Sequence, residues 1–419
     1  MSRLLRAALV CCLLAVTALG AGGCGAPAPR KVVVLGPWTD AEGKAFRAVL
    51  ARLDAKDDSV TYEYEGTRSL RETLVAKLEA GDPPDVAVLN SIGELSEYAA
   101  DNRLKPLDGT AASRAFAPWV PKLVVNHARS TYWVPLKVDV KSLVWSKKGT
   151  SDAAPRWCVG MASEATSGWP GTDWIEDIVL HLYGQDVYKR WAAGELPWTG
   201  IRGAWEKWGR MLDDHQTYAP AGPLGMPYKG RDERGLLNSL KGCTHEHQSA
   251  FIRHVYVGDQ VRVQPSAAFI GGGAGADTFE VSGDMAAVFT GRREARELVD
   301  RLSSPAARKE WQGAAEPGLA PFFPARSDPQ PEDREGAAIT RIFTRRAKTL
   351  CFDASDVMPP RVRDAFHRAV LSYFGDPTAK NLKPLLKQLD RVREEVRGEA
   401  RKNASVRILA KDICDSPAD

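Results

Sequence analysis

Hydrophobic and polar positions along the first hundred residues predict strands separated by amphipathic helices. The runs Lys31–Gly36 and Asp85–Asn90 are short and mostly apolar, as is typical of buried strands, and Val60–Glu65 alternates between apolar and polar residues. Because the strands alternate with helical segments, the pattern indicates βαβ units and a mainly parallel sheet in an α/β fold. Apolar residues recur at helical spacing at Phe46, Val49, Leu50 and Leu53, and again at Leu70, Leu74 and Leu78.

The remainder of the chain is predicted to contain more helix. Tyr132–Val144 is predicted to be extended, Asp284–Phe289 to be a strand, and the glycine-rich residues 271–275 to be a flexible connection. Asp173 and Glu176 are predicted to cap a helix. Further helices are predicted at about 201–212, 292–302, 305–311 and 336–402, the last broken at Pro359-Pro360 and Pro377.

The N-terminus has the organisation of an export signal. Arg3 and Arg6 precede an apolar run of roughly 16 residues, which is shorter than the ~20 residues that a transmembrane helix needs. Small residues then lead to Cys24, in a segment that resembles a lipobox with Ala21 in place of the usual leucine. We expect residues 1–23 to be a signal peptide, Cys24 to be lipidated and residues 24–30 to be a tether. An ordinary signal peptide with an incidental cysteine is the alternative.

Charge and cysteine content narrow the class of protein further. The chain has 57 basic and 53 acidic residues, a net charge of +4, and lacks the clustered basic face that nucleic-acid binding requires. We therefore expect no nucleic-acid partner. We also expect the protein to be a monomer. Four of the seven cysteines fall in the predicted folded part of an exported chain, which indicates disulfides with three possible pairings. Of these pairings, we favour Cys158–Cys243 and Cys351–Cys414.

Candidate ligand contacts follow the ends of the predicted strands. Trp38 and Thr39 come directly after the first strand, and Asn90 ends another. Ligands of open α/β sheets bind at the carboxyl ends of such strands. Thr39 and Glu42 also have the spacing of a capping box, so they are predicted to cap a helix, to contact a ligand, or both.

One tryptophan differs from the others in its sequence surroundings. Ten of the twelve tryptophans lie between Trp119 and Trp208, and those at helical spacing are expected in the core. Trp169 instead follows Gly168 in a predicted turn, where it would either pack locally or stack on a sugar ring. Asp139 and Asp173 are the acidic candidates for contacts with ligand hydroxyls.

The segment from Cys243 to His254 offers a second candidate chemistry. Its Cys-x-His-x-His run suggests metal binding, but the spacing of a structural zinc site and a second ligand pair are missing. We expect no metal here and predict that His247 and Gln248 line a ligand cleft.

Several blocks resemble the family 1 extracellular solute-binding proteins of the maltose-binding-protein type, and within them the α-glucoside-type sugar binders. The general blocks are Glu79–Leu89 and Tyr132–Asp139, and the more specific ones are Ser167–Asp177, Gly283–Phe289 and Cys351–Pro359. The block from Cys243 to Phe251 departs from its counterpart in those proteins, and Tyr228–Arg234 replaces a glycine-rich, aromatic stretch. The identity of the ligand therefore does not carry over with the fold.

The resemblance implies a two-lobed, hinged fold of the type II periplasmic-binding-protein kind, in which each lobe has a central mixed sheet flanked by helices. We expect residues 31–138 and 277–325 to form the N-lobe and residues 139–276 and 326–419 to form the C-lobe, with crossings near Val138, near Ala276 and after Phe323. Such a protein captures a carbohydrate by hinge closure and delivers it to the permease of an ABC importer. It would be exported and lipid-anchored on the outer face of the membrane.

Three other functions remain as alternatives at this point. A binder of a non-sugar solute or a binder that feeds a sensor would have the same fold, and a surface glycan-active enzyme would need two opposed carboxylates. The sequence has no Gly-x-Ser-x-Gly motif, Walker loop or dinucleotide fingerprint. We therefore expect no catalysis, no cofactor and no bound nucleotide.

Overall fold

A computed structural model describes most of the predicted folded part of the chain. No helix within the described residues is long and apolar enough to cross a membrane. Cys24 and the predicted signal peptide lie outside these residues. The described residues are 29–55, 59–109, 118–119, 122–214, 222, 224–258, 261–271, 273, 275, 277–325, 327–345, 348–402 and 413–415.

Strands and helices alternate through the first hundred residues, as the hydrophobic pattern predicts. The strands are β1 (Arg30–Gly36), β2 (Val60–Gly66), β3 (Val86–Leu89), β4 (Leu123–Val125), β5 (Ala128–Ser130), β6 (Trp133–Val140), β7 (Leu143–Lys147), β8 (His245–His247), β9 (Val261–Pro265), β10 (Thr278–Val288), β11 (Thr349–Phe352) and β12 (Cys414–Asp415).

Helices cover both faces of the sheets and dominate the C-terminal part of the chain. The α-helices are α1 (Asp40–Asp54), α2 (Leu70–Glu79), α3 (Ile92–Ala100), α4 (Trp169–Ala192), α5 (Arg202–Asp214), α6 (Leu236–Ser239), α7 (Ala267–Ile270), α8 (Arg293–Leu302), α9 (Pro305–Ala314), α10 (Arg334–Phe343), α11 (Ala354–Val357), α12 (Pro360–Gly375) and α13 (Ala379–Lys402).

A large mixed sheet has the strand order β12-β11-β10-β3-β1-β2, and β6 also pairs with β10. The strands β2 and β3 are parallel to β1, but β10 is antiparallel to both β3 and β6. The sheet is therefore mixed, which confirms the mixed sheet that the resemblance implies, whereas the local alternation of strands and helices alone predicts a mainly parallel sheet. A separate small sheet has the order β8-β7-β9, with both pairs antiparallel.

Three passages of the chain lie side by side where the two sheets meet. Val138 on β6 is opposite Gly283 on β10, and its backbone N–H donates to the carbonyl of Phe322 (2.9 Å). After β6 the chain enters the small sheet directly at β7. These contacts join the predicted first and third crossings, whereas Ala276 lies outside the described residues. The predicted lobe boundaries themselves remain predictions.

The apolar side chains fall into two clusters. One is drawn from residues 32–136 and 286–323 and packs on one face of the large sheet. The other joins the opposite face to α3, α4, α5, α12 and the small sheet. The disulfides Cys158–Cys243 and Cys351–Cys414 both form, in the pairing that we favoured.

Two sequence predictions need correction. The segment 336–402 is not continuously helical, because Thr349–Phe352 forms β11 between β10 and β12, next to the Cys351–Cys414 disulfide. These partners are far away in the sequence, so a local pattern could not indicate them. The helix predicted to be capped by Asp173 begins earlier, at Trp169, with Gly168 before it and a proline in its first turn.

Candidate functional site

Charged residues alternate with apolar ones where β6 leaves the large sheet. Lys137 and Asp139 are half-buried, whereas Val138 and Val140 are buried. Because alternate residues of a strand point to the same side, Lys137, Asp139 and, just beyond the strand, Lys141 share one face. This face forms the floor of the candidate site.

Lys137 is the centre of a polar group on the large-sheet side of the site. Its ammonium donates to Glu42 Oε1 (2.7 Å) and lies 3.4 Å from Asp284 Oδ2. Asp284 Oδ2 also accepts from the indole Nε1 of Trp38 (2.9 Å). Burial disfavours the charged lysine, but Glu42 and Asp284 outweigh it and raise the Lys137 pKa. Burial likewise acts against ionised Glu42, but Lys137 prevails and lowers the pKa of Glu42.

Trp38 positions this polar group from the core. Its ring packs against Phe46 (4.8 Å between centroids) and Trp311 (5.0 Å), and only 3% of the residue is exposed. The indole is therefore a fixed hydrogen-bond donor to Asp284, and it has no free face on which a ligand could stack.

The predicted capping box does not form. Thr39 occupies the N-cap position of α1, but its side chain makes no capping hydrogen bond and its hydroxyl donates to Asp40 Oδ2 (2.8 Å) instead. Glu42 bonds to Lys137 instead. The Lys137 ammonium is a charged donor, so its hydrogen bond to the Glu42 carboxylate adds ion-pair attraction that a neutral backbone N–H does not offer. Glu42 therefore belongs to the site, and the capping interpretation is wrong for the two side chains.

Asp139 connects the floor of the site to the small-sheet side. Its Oδ1 accepts from the N–H of Val140 (2.8 Å), and its Oδ2 accepts from the N–H of Phe251 (3.1 Å). Burial raises the pKa of Asp139 to about 6, although Lys137 opposes the shift. Asp139 thus holds the 3₁₀ segment Ala250–Tyr256 in place.

Three aromatic side chains form a group on the small-sheet side. Trp169 lies with its ring 4.9 Å from Tyr228 and 6.1 Å from Phe251, at edge-on or tilted angles. The Lys141 ammonium lies 5.7 Å from the Trp169 ring. The other eleven tryptophans, all within the described residues, are buried, whereas Trp169 is half-buried. The distinct sequence surroundings of Trp169 therefore correspond to a distinct position.

Gly168 fixes the position of Trp169. Its φ of 108° lies in the region that favours glycine, and a β-carbon there would come within 2.6 Å of the His367 carbonyl oxygen. Trp169 then starts α4 with its side chain beside Tyr228. The predicted loop position of Trp169 is thus corrected to the first turn of a helix.

Charged side chains from the two sides approach each other at the rim of the site. Arg68, which precedes α2, lies 3.1 Å from Asp40 Oδ2 and 3.6 Å from Glu233 Oε1 in the segment before α6. The charge of the Lys229 ammonium also acts on Glu42 across the site. The rim is therefore lined by oppositely charged groups that face one another.

Asn90 and Asp173 lie deeper, next to the base of the site. The Asn90 amide donates to both carboxylate oxygens of Asp356, at 3.2 and 3.3 Å. Asp173 is buried on α4, and its Oδ1 accepts from Lys141 Nζ (3.0 Å). Asn90 is thus at the junction of α3 and α11, while Asp173 belongs to a buried group beneath Trp169.

His247 and Gln248 are not brought together with these residues. His247 is buried, stacks on Trp174 (4.4 Å), and shares a hydrogen bond with Asp177 Oδ2 (2.8 Å). Gln248 is also buried, and its side chain accepts from the N–H of Ser249. Both lie within the small-sheet core, so we leave them out of the proposed ligand site.

The Cys-x-His-x-His run was also considered as a metal site, but its side chains are bonded to other residues. Cys243 is bonded to Cys158, so it offers no thiolate. His245 shares a hydrogen bond with Asp152 Oδ1 (3.0 Å), and His247 points to Asp177. Both ring nitrogens of His245 have partners, in Thr244 and Asp152, whereas His247 is bonded through Nε2 and its buried Nδ1 has no hydrogen-bond partner among the described residues.

Sequence analysis missed Lys137, Asp284, Tyr228 and Phe251. The alternation of Lys137, Asp139 and Lys141 with valines was a usable signal, because charges at every second position of a strand mark one polar face. Tyr228 and Phe251 gave no such signal, since their proximity to Trp169 depends on the tertiary fold.

The chain is similar to known binding proteins. Residues 36–226 match the family model of bacterial extracellular solute-binding proteins. The chain is 26% identical over 411 residues to the alpha-glucosides-binding periplasmic protein AglE of Rhizobium meliloti, and 84% of this chain and 85% of that protein are covered. It is 25% identical over 407 residues to the osmoprotective compounds-binding protein GgtB of Synechocystis, with 88% and 94% covered.

The fold also matches solved structures. A chitin oligosaccharide binding protein superposes with a TM-score of 0.67 at 14% identity, covering 88% of this chain and 98% of that one. This likeness confirms the predicted α/β fold class, the two-lobed periplasmic-binding-protein fold of type II.

Proposed function

We propose that this chain captures a carbohydrate outside the cell and delivers it to the permease of an ABC importer. The match of residues 36–226 to the family model of bacterial extracellular solute-binding proteins supports this proposal. The observation that carries the proposal is the pairing of two unlike surfaces. An aromatic group of Trp169, Tyr228 and Phe251 lies on one side of the site, and the ion-paired Lys137 and Glu42 lie on the other.

A sugar matches this pairing chemically. A pyranose has an apolar face that packs on an aromatic ring, and hydroxyls that both donate and accept hydrogen bonds at its edge. Lys137 supplies donors, and Glu42 and Asp284 supply acceptors, so one positive charge faces two negative charges. A polyhydroxylated solute, which needs both donors and acceptors, is therefore favoured over an anion.

Capture would occur by closure of the two lobes. Ligand contacts that exist only when both sides are together favour the closed state. The approach of Arg68 to Glu233 at 3.6 Å across the rim supports a closed form in which both sides reach the same ligand. Asp139, which joins the crossing strand to the 3₁₀ segment that carries Phe251, would transmit the position of one side to the other.

The N-terminal features fit this role. A signal peptide of residues 1–23 and a lipid on Cys24 would place the domain on the outer face of the membrane, beside the permease. Relatives of this chain are binding proteins rather than enzymes. We accordingly propose binding without turnover.

The ligand class is open to one specific alternative. The relative GgtB is described as a binder of osmoprotective compounds. A small glycoside or polyol would use the same aromatic and polar surfaces as an oligosaccharide, whereas a sugar-free osmolyte would use only part of them.

The test is a thermal-shift and calorimetric screen of the purified protein. The panel contains the α-glucosides maltose, sucrose and trehalose, the β-glucoside cellobiose, a glycosylated glycerol and the sugar-free osmolyte glycine betaine. A ligand at 100 times its Kd stabilises the folded state by about 2.7 kcal/mol, so binding is readily detected. We expect one sugar class to bind and to be recovered unchanged.

The variant Trp169→Ala tests whether the bound sugar stacks on the aromatic group. Loss of a stacking aromatic should weaken sugar binding by about 2 kcal/mol, roughly 30-fold. Phe374→Ala is the matched control, because Phe374 is also half-buried but packs on Trp208 in the core. Binding of glycine betaine alone would refute the carbohydrate proposal. Hydrolysis of a bound sugar would refute binding without turnover.

A further inference from the structure

A second cluster of charged side chains lies beneath the aromatic group. Asp173 and Glu176 are on α4, Glu280 is on β10, and Asp353 follows β11. Each offers a carboxylate oxygen, and these oxygens lie within 4.8 Å of one another. All four residues are buried, so water does not screen their mutual repulsion.

Lys141 neutralises only part of this cluster. Its ammonium donates to Asp173 Oδ1 (3.0 Å) and to Asp353 Oδ2. Asp353 Oδ1 accepts from the Ser355 hydroxyl and the N–H of Asp356, at 2.8 Å each. The two aspartates are therefore satisfied by neighbouring donors, and one lysine offsets one of four carboxylate charges.

The two glutamates are not satisfied in the same way. Glu176 Oε2 accepts from the N–H of Ala354 (2.7 Å), but among the described residues no N–H or O–H group donates to its Oε1. Neither carboxylate oxygen of Glu280 has a hydrogen-bond partner within the described part of the chain, and the residue is 0% exposed. An unpaired buried carboxylate is among the most costly arrangements in a protein interior. Glu280 nevertheless points its oxygens into the cluster.

We propose that Asp173, Glu176, Glu280 and Asp353 bind a divalent cation, with Ca²⁺ as the ion that the donor set fits best. The donors are all carboxylate oxygens, which hard cations such as Ca²⁺ prefer over softer metals. Oxygens on opposite sides of a Ca²⁺ ion are about 4.6–5.2 Å apart, given its 2.3–2.6 Å bonds, so the oxygen spacing is compatible. The cation would offset two further charges and give the free oxygens of Glu176 and Glu280 a partner.

Protons are the competing way to neutralise the cluster. Burial raises the pKa of Asp173 to about 8, with Lys141 opposing and Asp353 adding to the shift, and burial raises the pKa of Glu176 and Glu280 as well. A protonated Glu176 can donate to Asp353, so a proton accounts for that pair, whereas the interactions of Glu280 with its neighbours are electrostatic only. A cation satisfies the same oxygens directly, and its binding would release protons.

The position of the cluster gives the cation a structural role. Lys141 follows β6, Glu280 lies on β10, and Asp353 connects β11 to α11, so the cluster joins the strands that link the two sheets to α4. A bound cation would brace the base of the candidate site. This inference does not depend on the identity of the captured solute, and sugar binding can be measured separately.

The test uses the protein stripped with a chelator and then dialysed against Ca²⁺, Mg²⁺ or Mn²⁺. We expect one Ca²⁺ per chain by elemental analysis, and a rise in Tm of about 3 °C or more at about 1 mM Ca²⁺. Because the metal displaces protons, the Ca²⁺ affinity should increase as the pH is raised towards about 8. No retained metal and an unchanged Tm with all three ions would overturn the proposal.

The isosteric variant Glu280→Gln locates the site. It should weaken Ca²⁺ binding at least about tenfold, because it removes one charged ligand. Glu246→Gln is the control, since Glu246 is also buried with one unpartnered oxygen, but is bonded to Tyr256 in the small-sheet region. Equal loss of Ca²⁺ in both variants would overturn the assignment to this cluster. A response to Mg²⁺ or Mn²⁺ without Ca²⁺ would overturn the choice of calcium.

Discussion

Lys137 and Lys141 lie four residues apart on one face of β6 and its continuation, and each is surrounded by carboxylates. Around Lys137, Glu42 and Asp284 are within reach, and the side chains of Lys137 and Glu42 are 20% and 40% exposed. Around Lys141, the group includes Asp173 and Asp353, whose side chains are at most 4% exposed. The same chemistry is thus arranged once in an accessible site and once in a sealed one.

The two arrangements differ in their electrostatic outcome. In the open group Lys137 lowers the pKa of Glu42 against the effect of burial. In the sealed group burial also acts against ionised Asp353, but Lys141 prevails and lowers its pKa. For Asp173, Glu176 and Glu280 burial prevails and raises the pKa. Burial and charge balance, rather than residue type, therefore decide which group can present charged side chains to a solute and which needs protons or a cation of its own.

The largest expected effect comes from removing the buried lysine. Lys141→Met leaves buried carboxylates without their ammonium, and loss of one partner of a buried ion pair costs about 3–5 kcal/mol. Lys137→Met should cost about 1 kcal/mol, because its partners are closer to water. Urea denaturation at neutral pH measures both values. If both variants lose the same free energy of unfolding, burial does not distinguish the group around Lys141 from the group around Lys137.

The affinity for the solute should decrease more in Lys137→Met than in Lys141→Met, which is the reverse of their ranking by stability. Lys137→Met removes a charged hydrogen-bond donor from the site, which should weaken binding of the solute by about 1.5–3 kcal/mol, or roughly 10–100-fold. Lys189→Met is a matched control, because Lys189 is 21% exposed and pairs with Asp186 on its own helix. Calorimetry with the solute found in the screen gives both affinities. If Lys137→Met binds the solute with unchanged affinity, Lys137 does not contact the solute.

The pH dependence of stability should separate the groups further. A carboxyl group whose pKa is raised by folding contributes stability at low pH, and that contribution is lost as the pH rises from about 4 towards the folded value. Asp173, with a folded pKa of about 8, and Glu280 act in this sense, and Lys141, Glu176 and Asp353 are the charged groups that face them. His245, His254 and His367, whose pKa values are lowered, act oppositely near the histidine pKa.

The difference in Tm between Glu280→Gln and the wild type isolates Glu280, because the titration of the other groups contributes equally to both proteins. Without divalent ions, the Tm of Glu280→Gln relative to the wild type should rise between about pH 5 and 8, because only the wild type must accommodate the ionising glutamate. Saturating Ca²⁺ should reverse the order. A Tm difference that stays constant over this pH range would mean that Glu280 does not titrate in the cluster.

The sequence could predict the open site only in part. Trp38 was indicated because it follows a strand, Glu42 because of its spacing from Thr39, and Asp139 as an acidic candidate. Trp169 was indicated because it follows a glycine in a predicted turn. The role of Trp38 as a buried donor and the failure of the capping box both depend on Asp284 and Lys137, which come from other strands.

Local sequence patterns could not predict the buried cluster of Asp173, Glu176, Glu280 and Asp353. The spacing of Asp173 and Glu176 places them on one helix face, but it also suits an ordinary helix start. Glu280 and Asp353 join them only because β10 and β11 pair in parallel, with Glu280 opposite Cys351. Long-range register therefore determines a feature that composition and periodicity do not contain.

The smallest expected effect concerns the rim, where the two sides meet. Arg68→Ala removes the 3.6 Å approach to Glu233, and because both side chains are 54% exposed, the pair should contribute at most about 1 kcal/mol to closure. Solute affinity should fall by no more than about fivefold, and the loss should shrink at high salt, because salt screens exposed charges. Arg52→Ala is the control, since Arg52 pairs with Glu310 and neither residue borders the site. A decrease in affinity that is insensitive to salt would mean that Arg68 contacts the solute itself, and the rim would then belong to the ligand site rather than to the closure between its two sides.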